Sequence, residues 1–304
     1  VFNNPGLRPD CLVDKHHLIL PGQQSVIEGQ VIHKEIRHIT TVNLRNLNRA
    51  RRFRARDNWG NRYDSTWTRL NLQSISSPWA AMNRGMAGLD EAPTMRLYEM
   101  AGVPSPRTHY FGFRVIDDAA ETDPTNQYEG DVWGLYLAME HPNGSFLNDR
   151  NLADGNIYKI EGGAGDKKEQ GDTQTVSSSD WNSFYSASNS AQTEQWWRDN
   201  MDMPGYYTMR SLNRLLGNVD IRIGYNHYFY HEPSQDQWKV IPWDLNMMWI
   251  AETHQGGVIR QQNSINNHSQ LAIEFRNRGR ELLDLVGSDS SPTGGQIGQL
   301  IDEY

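Results

Sequence analysis

Cysteine is nearly absent: Cys11 is the single one in 304 residues, which excludes an internal disulfide and every zinc site built from CxxC pairs. The histidines do not supply a metal motif either, since His33 and His38 stand in no HExxH-like spacing. No apolar run approaches the roughly 20 residues needed to cross a bilayer, so no membrane span is expected. GxSxG, Walker A and GxGxxG patterns are missing, which leaves hydrolase-elbow, P-loop and dinucleotide readings without a handle. Positive charge is not in excess: the net charge of −8 argues against general nucleic-acid binding. The chain opens at Val1 without a methionine or a signal-like apolar segment and reads as a processed or trimmed product.

What is present is an aromatic-rich, acidic chain with ten Trp and thirteen Tyr, long enough for one two-lobed unit or two small domains. HHLIL (16–20), SVIEGQVI (25–32) and TWTRLNLQ (66–73) read as strands. LRNLNRARRFRAR (44–56) concentrates six arginines, read as a helix giving way to a strand with Arg52, Arg54 and Arg56 on one face. That face is either solvated or supplies a phosphate contact. A helix is predicted from Pro93 to Gly102, with Glu91 just before it. RTHYFGFRVI (107–116) and VWGLYLAMEH (132–141) alternate as adjacent antiparallel strands, joined by a polar, disordered DDAAETDPTNQYEG. MEHPNGSFLND (139–149) turns into a short helix in the manner of a hinge. Residues 162–180 read as a mobile loop, 181–201 as helical, and 271–286 as an amphipathic helix with Leu271, Phe275, Leu282 and Leu283 inward. SDSSPTGGQ reads as a linker before a last helix.

The most informative stretch is Gly217 to Asp244, GNVDIRIGYNHYFYHEPSQDQWKVIPWD. Met209, Leu212, Leu215 and Leu216 follow helical spacing, and Gly217-Asn218 is a C-terminal cap. NHYFYH and WKVIPWD flank a PSQDQ turn as a β-hairpin. Centred near Gln235, the hairpin sets Asn226 opposite Asp244 on one face, while Asp220 occupies the loop before it. Two carboxylates and an amide are the minimum kit for a divalent metal beside a phosphate and a hydroxyl. Protein kinases use the same order of Asp, Asn, hairpin and Asp.

LYEMAGVPSPRTHYFGFRV (97–115), GLYLAMEHPNGSFL (134–147), DGNIYK (154–159), YNHYFY (225–230) and WKVIPWDLN (238–246) together resemble the CotH kinase family of spore-coat and secreted proteins. The resemblance runs from about Arg52 to the C-terminus. It implies an α+β, atypical protein-kinase-like fold with an antiparallel-sheet N-terminal lobe over 1–140, mainly β with one long helix, and a mostly helical C-terminal lobe over 141–304. It implies an extracellular or cell-surface enzyme that uses ATP and Mg²⁺ or Mn²⁺ to phosphorylate Ser or Thr of a protein substrate. Asp220 then corresponds to the catalytic Asp, Asn226 to a metal ligand and Asp244 to the DFG aspartate. Arg62, Glu91, Glu140 at the hinge, Lys159 and Trp243 are the cofactor-binding candidates, with Trp243 either stacking on adenine or bracing the metal strand.

Two positions depart from the family pattern. Asn246 stands where a second acidic residue is usual, and RARDNWGNRYDSTW (54–67) holds no lysine. Arg54, Arg56, Arg62 or Arg69 would have to replace it, paired with Glu91. Two alternatives stay open: a pseudokinase or structural coat protein, and a glycosidase using Asp220 and Asp244, with Trp181, Trp196, Trp197, Trp243 and Trp249 as sugar platforms.

Overall fold

The computed structural model describes residues 16–19, 28–29, 40–43, 69–73, 88–115, 131–161, 164–221, 225–250, 265–287 and 300. The helix-to-strand reading of 44–56, the 117–130 connection, the 288–296 linker, and Arg54, Arg56 and Arg62 lie outside them. The chain is α+β and divides into two units, residues 1–88 with 107–141 and residues 89–106 with 142–304.

The first unit carries a six-stranded antiparallel sheet of β1 (His16–Ile19), β2 (Glu28–Gly29), β3 (Thr40–Asn43), β4 (Arg69–Gln73), β5 (Thr108–Val115) and β6 (Asp131–Glu140), in the order β2-β1-β5-β6-β4-β3. β5 and β6 pair as the alternation predicts, with a bulge at Phe113/Arg114. Tyr136 to Glu140 form an unbroken buried run, as suits a central strand. Thr40–Asn43 was not legible as a strand; its partner is β4.

The second unit opens with α1 (Ala92–Met100), where Pro93 occupies the first turn and Gly102 stops the helix at φ 88°. After α2 (Gly144–Asn148), capped by the Asn143 side chain, a four-stranded antiparallel sheet is built from β7 (Ile157–Glu161), β8 (Ala164–Glu169), β9 (His227–Glu232) and β10 (Gln237–Pro242), in the order β10-β9-β7-β8. The helices α3 (Ser179–Ser188), α4 (Glu194–Asn200), α5 (Met203–Leu215) and α6 (Ser269–Val286) belong to the same unit. Arg198 joins α4 to α6 through Glu274 at 2.7 Å. Arg278 joins α6 to Thr208 at 2.8 Å and to the Ala101 carbonyl at 2.9 Å. Along α6, Leu271 and Leu282 are buried as expected, but Leu283 is exposed.

Within the 162–180 stretch read as a loop, 164–169 is a strand paired with β7, while 170–178 has no helix or strand. The segment between β8 and α3 is tied down by Lys167, whose Nζ donates to Gln170 Oε1 and to the carbonyls of Thr175, Val176 and Ser177. Asp180 at the head of α3 accepts from Asn156 Nδ2 at 2.9 Å and Tyr158 OH at 2.6 Å, and contacts His231 Nδ1 at 3.1 Å. Burial alone would push the Asp180 carboxyl up; these hydrogen bonds outweigh it and hold the group below its ordinary value. One face of the second sheet packs Tyr158, Phe229 and Trp238 against Trp181 and Phe184. Trp181, Trp197 and Trp243 are at most 3% exposed, so they are core residues rather than sugar platforms.

Candidate active site

Helix α5 ends as its sequence dictates. Gly217 turns the chain at φ 61°, and a Cβ there would collide with the Ile250 carbonyl oxygen. The Asn218 amide N–H returns to the Asn213 carbonyl at 2.9 Å. Its side-chain Oδ1 accepts from the main-chain N–H groups of Asp220 at 3.1 Å and Ile221 at 2.9 Å. This Asx turn fixes the backbone on which Asp220 stands.

Asn226 reaches the same turn from the other side. Its Nδ2 donates to Asp220 Oδ2 at 2.9 Å and to the Asp220 carbonyl at 3.2 Å. The structure thus brings the first two residues of the predicted triad into contact.

The hairpin forms, but its register differs from the expectation. Gln237 pairs with Glu232 and Pro242 with His227, so the ladder is centred half a residue earlier and points Asn226 toward Trp243 rather than Asp244. The cause is the Glu232 carboxylate, which accepts from Ser234 N–H, Ser234 Oγ and Gln235 N–H and closes the turn over 233–236. Asn226 and Asp244 both lie outside the ladder with φ of 62° and 55°. Strand alternation therefore does not set their directions; two left-handed backbone positions do.

Asp244 precedes a segment that the main chain ties back to the end of α5. Val219 N–H donates to the Met247 carbonyl at 3.3 Å, Trp249 N–H to Leu216 at 2.6 Å and Ile250 N–H to Gly217 at 3.2 Å. The segment after Asp244 is thereby zipped onto the segment before Asp220. Helix α1 clasps the zipper. Glu91, fully buried, accepts the Leu245 N–H through Oε1 at 3.0 Å, and Trp249 Nε1 donates to Thr94 Oγ1 at 3.1 Å and to the Asp90 carbonyl at 3.3 Å. Sequence reasoning placed Glu91 at a helix start but not this contact, because its partner lies 154 residues away.

Lys159 on β7 is the cross-strand partner of Tyr228, which puts both side chains on one sheet face. Trp243 packs edge-on against Tyr228 at 5.2 Å and is 3% exposed. Glu140 is buried at the end of β6, its Oε2 accepting Arg107 N–H at 3.2 Å and its carbonyl facing Asn71 Nδ2 at 3.4 Å. Arg69 opens β4 in the first unit. His227, unforeseen, is fully buried beside Asn226 with Nδ1 at 2.8 Å from the Tyr225 carbonyl; burial pushes its imidazole down to about 4, so it is neutral at pH 7.

Among the described residues no group of three or more His, Cys, Asp or Glu side chains could hold a metal ion. Asp220, Asn226 and Asp244 carry two carboxylates and an amide oxygen between them, all hard donors. Their chemistry suits Mg²⁺ or Mn²⁺. Among the described residues no helix is long and apolar enough to cross a membrane.

The family model described as CotH kinase protein matches residues 87–278. Glu91, Glu140, Lys159, Asp220, Asn226, Trp243 and Asp244 fall inside that span, and Arg62 falls outside it. No curated protein matches the chain.

Proposed function

The chain belongs to the CotH kinase family, and on that premise we propose that it is an ATP-dependent kinase acting on Ser or Thr hydroxyls of a secreted or surface protein. The observation that carries this reading is the contact of Asn226 with Asp220 on a segment hydrogen-bonded through its backbone to the one that follows Asp244. The two units are proposed as the counterparts of the two kinase lobes.

In this reading Asp220 orients the acceptor hydroxyl and takes its proton as the oxygen bonds to the γ-phosphorus and the bond to the bridging oxygen of ADP breaks. Asn226, with its N–H groups turned to Asp220, keeps its carbonyl oxygen for a divalent cation, and the Asp244 carboxylate is the second ligand. Mg²⁺ or Mn²⁺, when bound, offsets phosphate charge. Positioning and charge neutralisation account for most of the rate in such a reaction. Lys159, on the Tyr228 face, is the proposed phosphate contact. A pseudokinase is the second reading, favoured by Asn246 and by the absence of lysine from 54–67.

The test is transfer of labelled γ-phosphate from ATP to protein in the presence of millimolar Mg²⁺ or Mn²⁺. Asp220→Ala should lower turnover at least about a hundredfold with nucleotide affinity changed only a few-fold, since an acceptor-orienting base acts in the transition state. Equal turnover in the two proteins would move the chemistry elsewhere, and nucleotide binding without transfer in wild type would favour the pseudokinase.

A further inference from the structure

Tyr98 of α1, Asn213 of α5 and Asn218 of the following turn are 0%, 3% and 2% exposed, yet they are polar and meet in one chain of hydrogen bonds. The direction of every bond in it is fixed. Two main-chain N–H groups, of Asp220 and Ile221, point at one side-chain atom of Asn218, so that atom is the oxygen. The Asn218 Nδ2 must then face Asn213, and the atom it meets at 2.9 Å is Asn213 Oδ1. The same oxygen accepts the Tyr98 hydroxyl at 2.9 Å, a much shorter contact than that hydroxyl makes with the Met209 carbonyl at 3.5 Å. Burial pushes the Tyr98 phenol well above its ordinary value, which keeps its proton on as a donor.

The arrangement is costly as packing. Asn213 fills both lone pairs of its oxygen while its own Nδ2 has no partner among the described residues, and an unmet buried donor disfavours folding. Apolar residues of like size would hold two helices together without that cost. What the polar chain supplies, and an apolar contact cannot, is a defined orientation for the Asp220 and Ile221 amides.

We propose that Tyr98, Asn213 and Asn218 form a positioning relay that sets the Asp220 carboxylate for catalysis and makes its placement depend on the seating of helix α1. The inference rests on the kinase reading for Asp220's role. The relay reaches the Asp220 side chain through the Asp220 backbone, at the amide that Asn218 holds. Helix α1 also holds the Asp244 segment, through Glu91 and Trp249. A displacement of that one helix would disturb both aspartates together.

The test uses Tyr98→Phe, which deletes one hydroxyl and keeps the ring, together with Asn218→Ala and the double variant. Hydrogen exchange of the Asp220 and Ile221 amides and steady-state phosphoryl transfer are measured in each. Tyr98→Phe should speed exchange at both amides and lower kcat about tenfold, with KM for ATP changed less than about twofold, as expected for an effect confined to the transition state. The double variant should be no worse than Asn218→Ala, because the two changes cut one chain. Unchanged exchange in Tyr98→Phe overturns the relay, and so does faster exchange with unchanged kcat or with additive losses. Should Asn218→Ala fail to fold, Tyr98→Phe decides alone. A wild-type protein without transfer activity overturns the kinase reading instead, and the exchange measurement still decides whether α1 governs the Asp220 turn.

Discussion

Asn226 donates to Asp220 twice, to its carboxylate at 2.9 Å and to its carbonyl at 3.2 Å, across a sequence separation of six residues. The contact sets the direction of the Asp220 carboxylate. Asn226→Asp replaces the donor with a second carboxylate at the same distance, and like charges so close cannot both ionise freely. That variant should be destabilised by about 1–3 kcal/mol in chelator and should recover on addition of Mg²⁺ or Mn²⁺. Its melting temperature should therefore respond to metal more strongly than that of wild type; an equal or weaker response would place the cation elsewhere.

Gly217 is where α5 releases the chain into the Asp220 turn. Gly217→Ala meets both a left-handed backbone and the Ile250 carbonyl oxygen, and the combined strain should cost about 2–4 kcal/mol. Urea denaturation measures it. A cost below about 0.5 kcal/mol, the scale of an ordinary surface change, would mean that the 216–219 and 247–250 segments are not held together as described.

The hairpin, the helix before it and the cap at Gly217 were legible because each rests on local chemistry: aromatic strand residues, turn formers, helical periodicity, and a glycine at a left-handed position. The β5–β6 pair was legible for the same reason. The hairpin register was not, because it is decided by a carboxylate, Glu232, folding over the next three residues. The strand at 164–169, AGDKKE, was missed since it holds no β-branched or aromatic residue; its order comes from Lys167 gathering three carbonyls and from pairing with β7. Lys159's place beside Tyr228 comes from the pairing of β7 with β9 and was equally hidden. The contact of Glu91 with Leu245 N–H is long-range and lies beyond any local pattern.

Glu91 offers an uncommon separation of charge from shape. Glu91→Gln keeps an oxygen for the Leu245 N–H, whereas Glu91→Ala leaves that buried donor without its acceptor. The alanine variant should lose about 2 kcal/mol and the glutamine variant less than about 1 kcal/mol in chemical denaturation. Equal losses would show that the negative charge, and not the hydrogen bond to Leu245, is what the site requires.

Asp180 makes the second unit sensitive to acid. Its folded pKa lies below its ordinary value of 3.8, so its contribution is fully present above that pH and is lost as pH falls through the lower folded value. Asp180→Asn should cost about 2 kcal/mol at neutral pH and flatten the fall of stability below about pH 4. Thermal melts of both proteins between about pH 2 and 7, which brackets the ordinary carboxylate pKa, check the prediction. Parallel curves would contradict it.

Calorimetric titration of Mg-ATP into wild type and Asp244→Asn tests the central claim most directly. A neutral amide coordinates a divalent ion far more weakly than a carboxylate, so the account predicts saturable, chelator-sensitive binding in wild type and its loss in a folded Asp244→Asn variant. Equal Mg-ATP affinity in the two proteins would remove Asp244 from the metal site and with it the kinase geometry proposed for this chain.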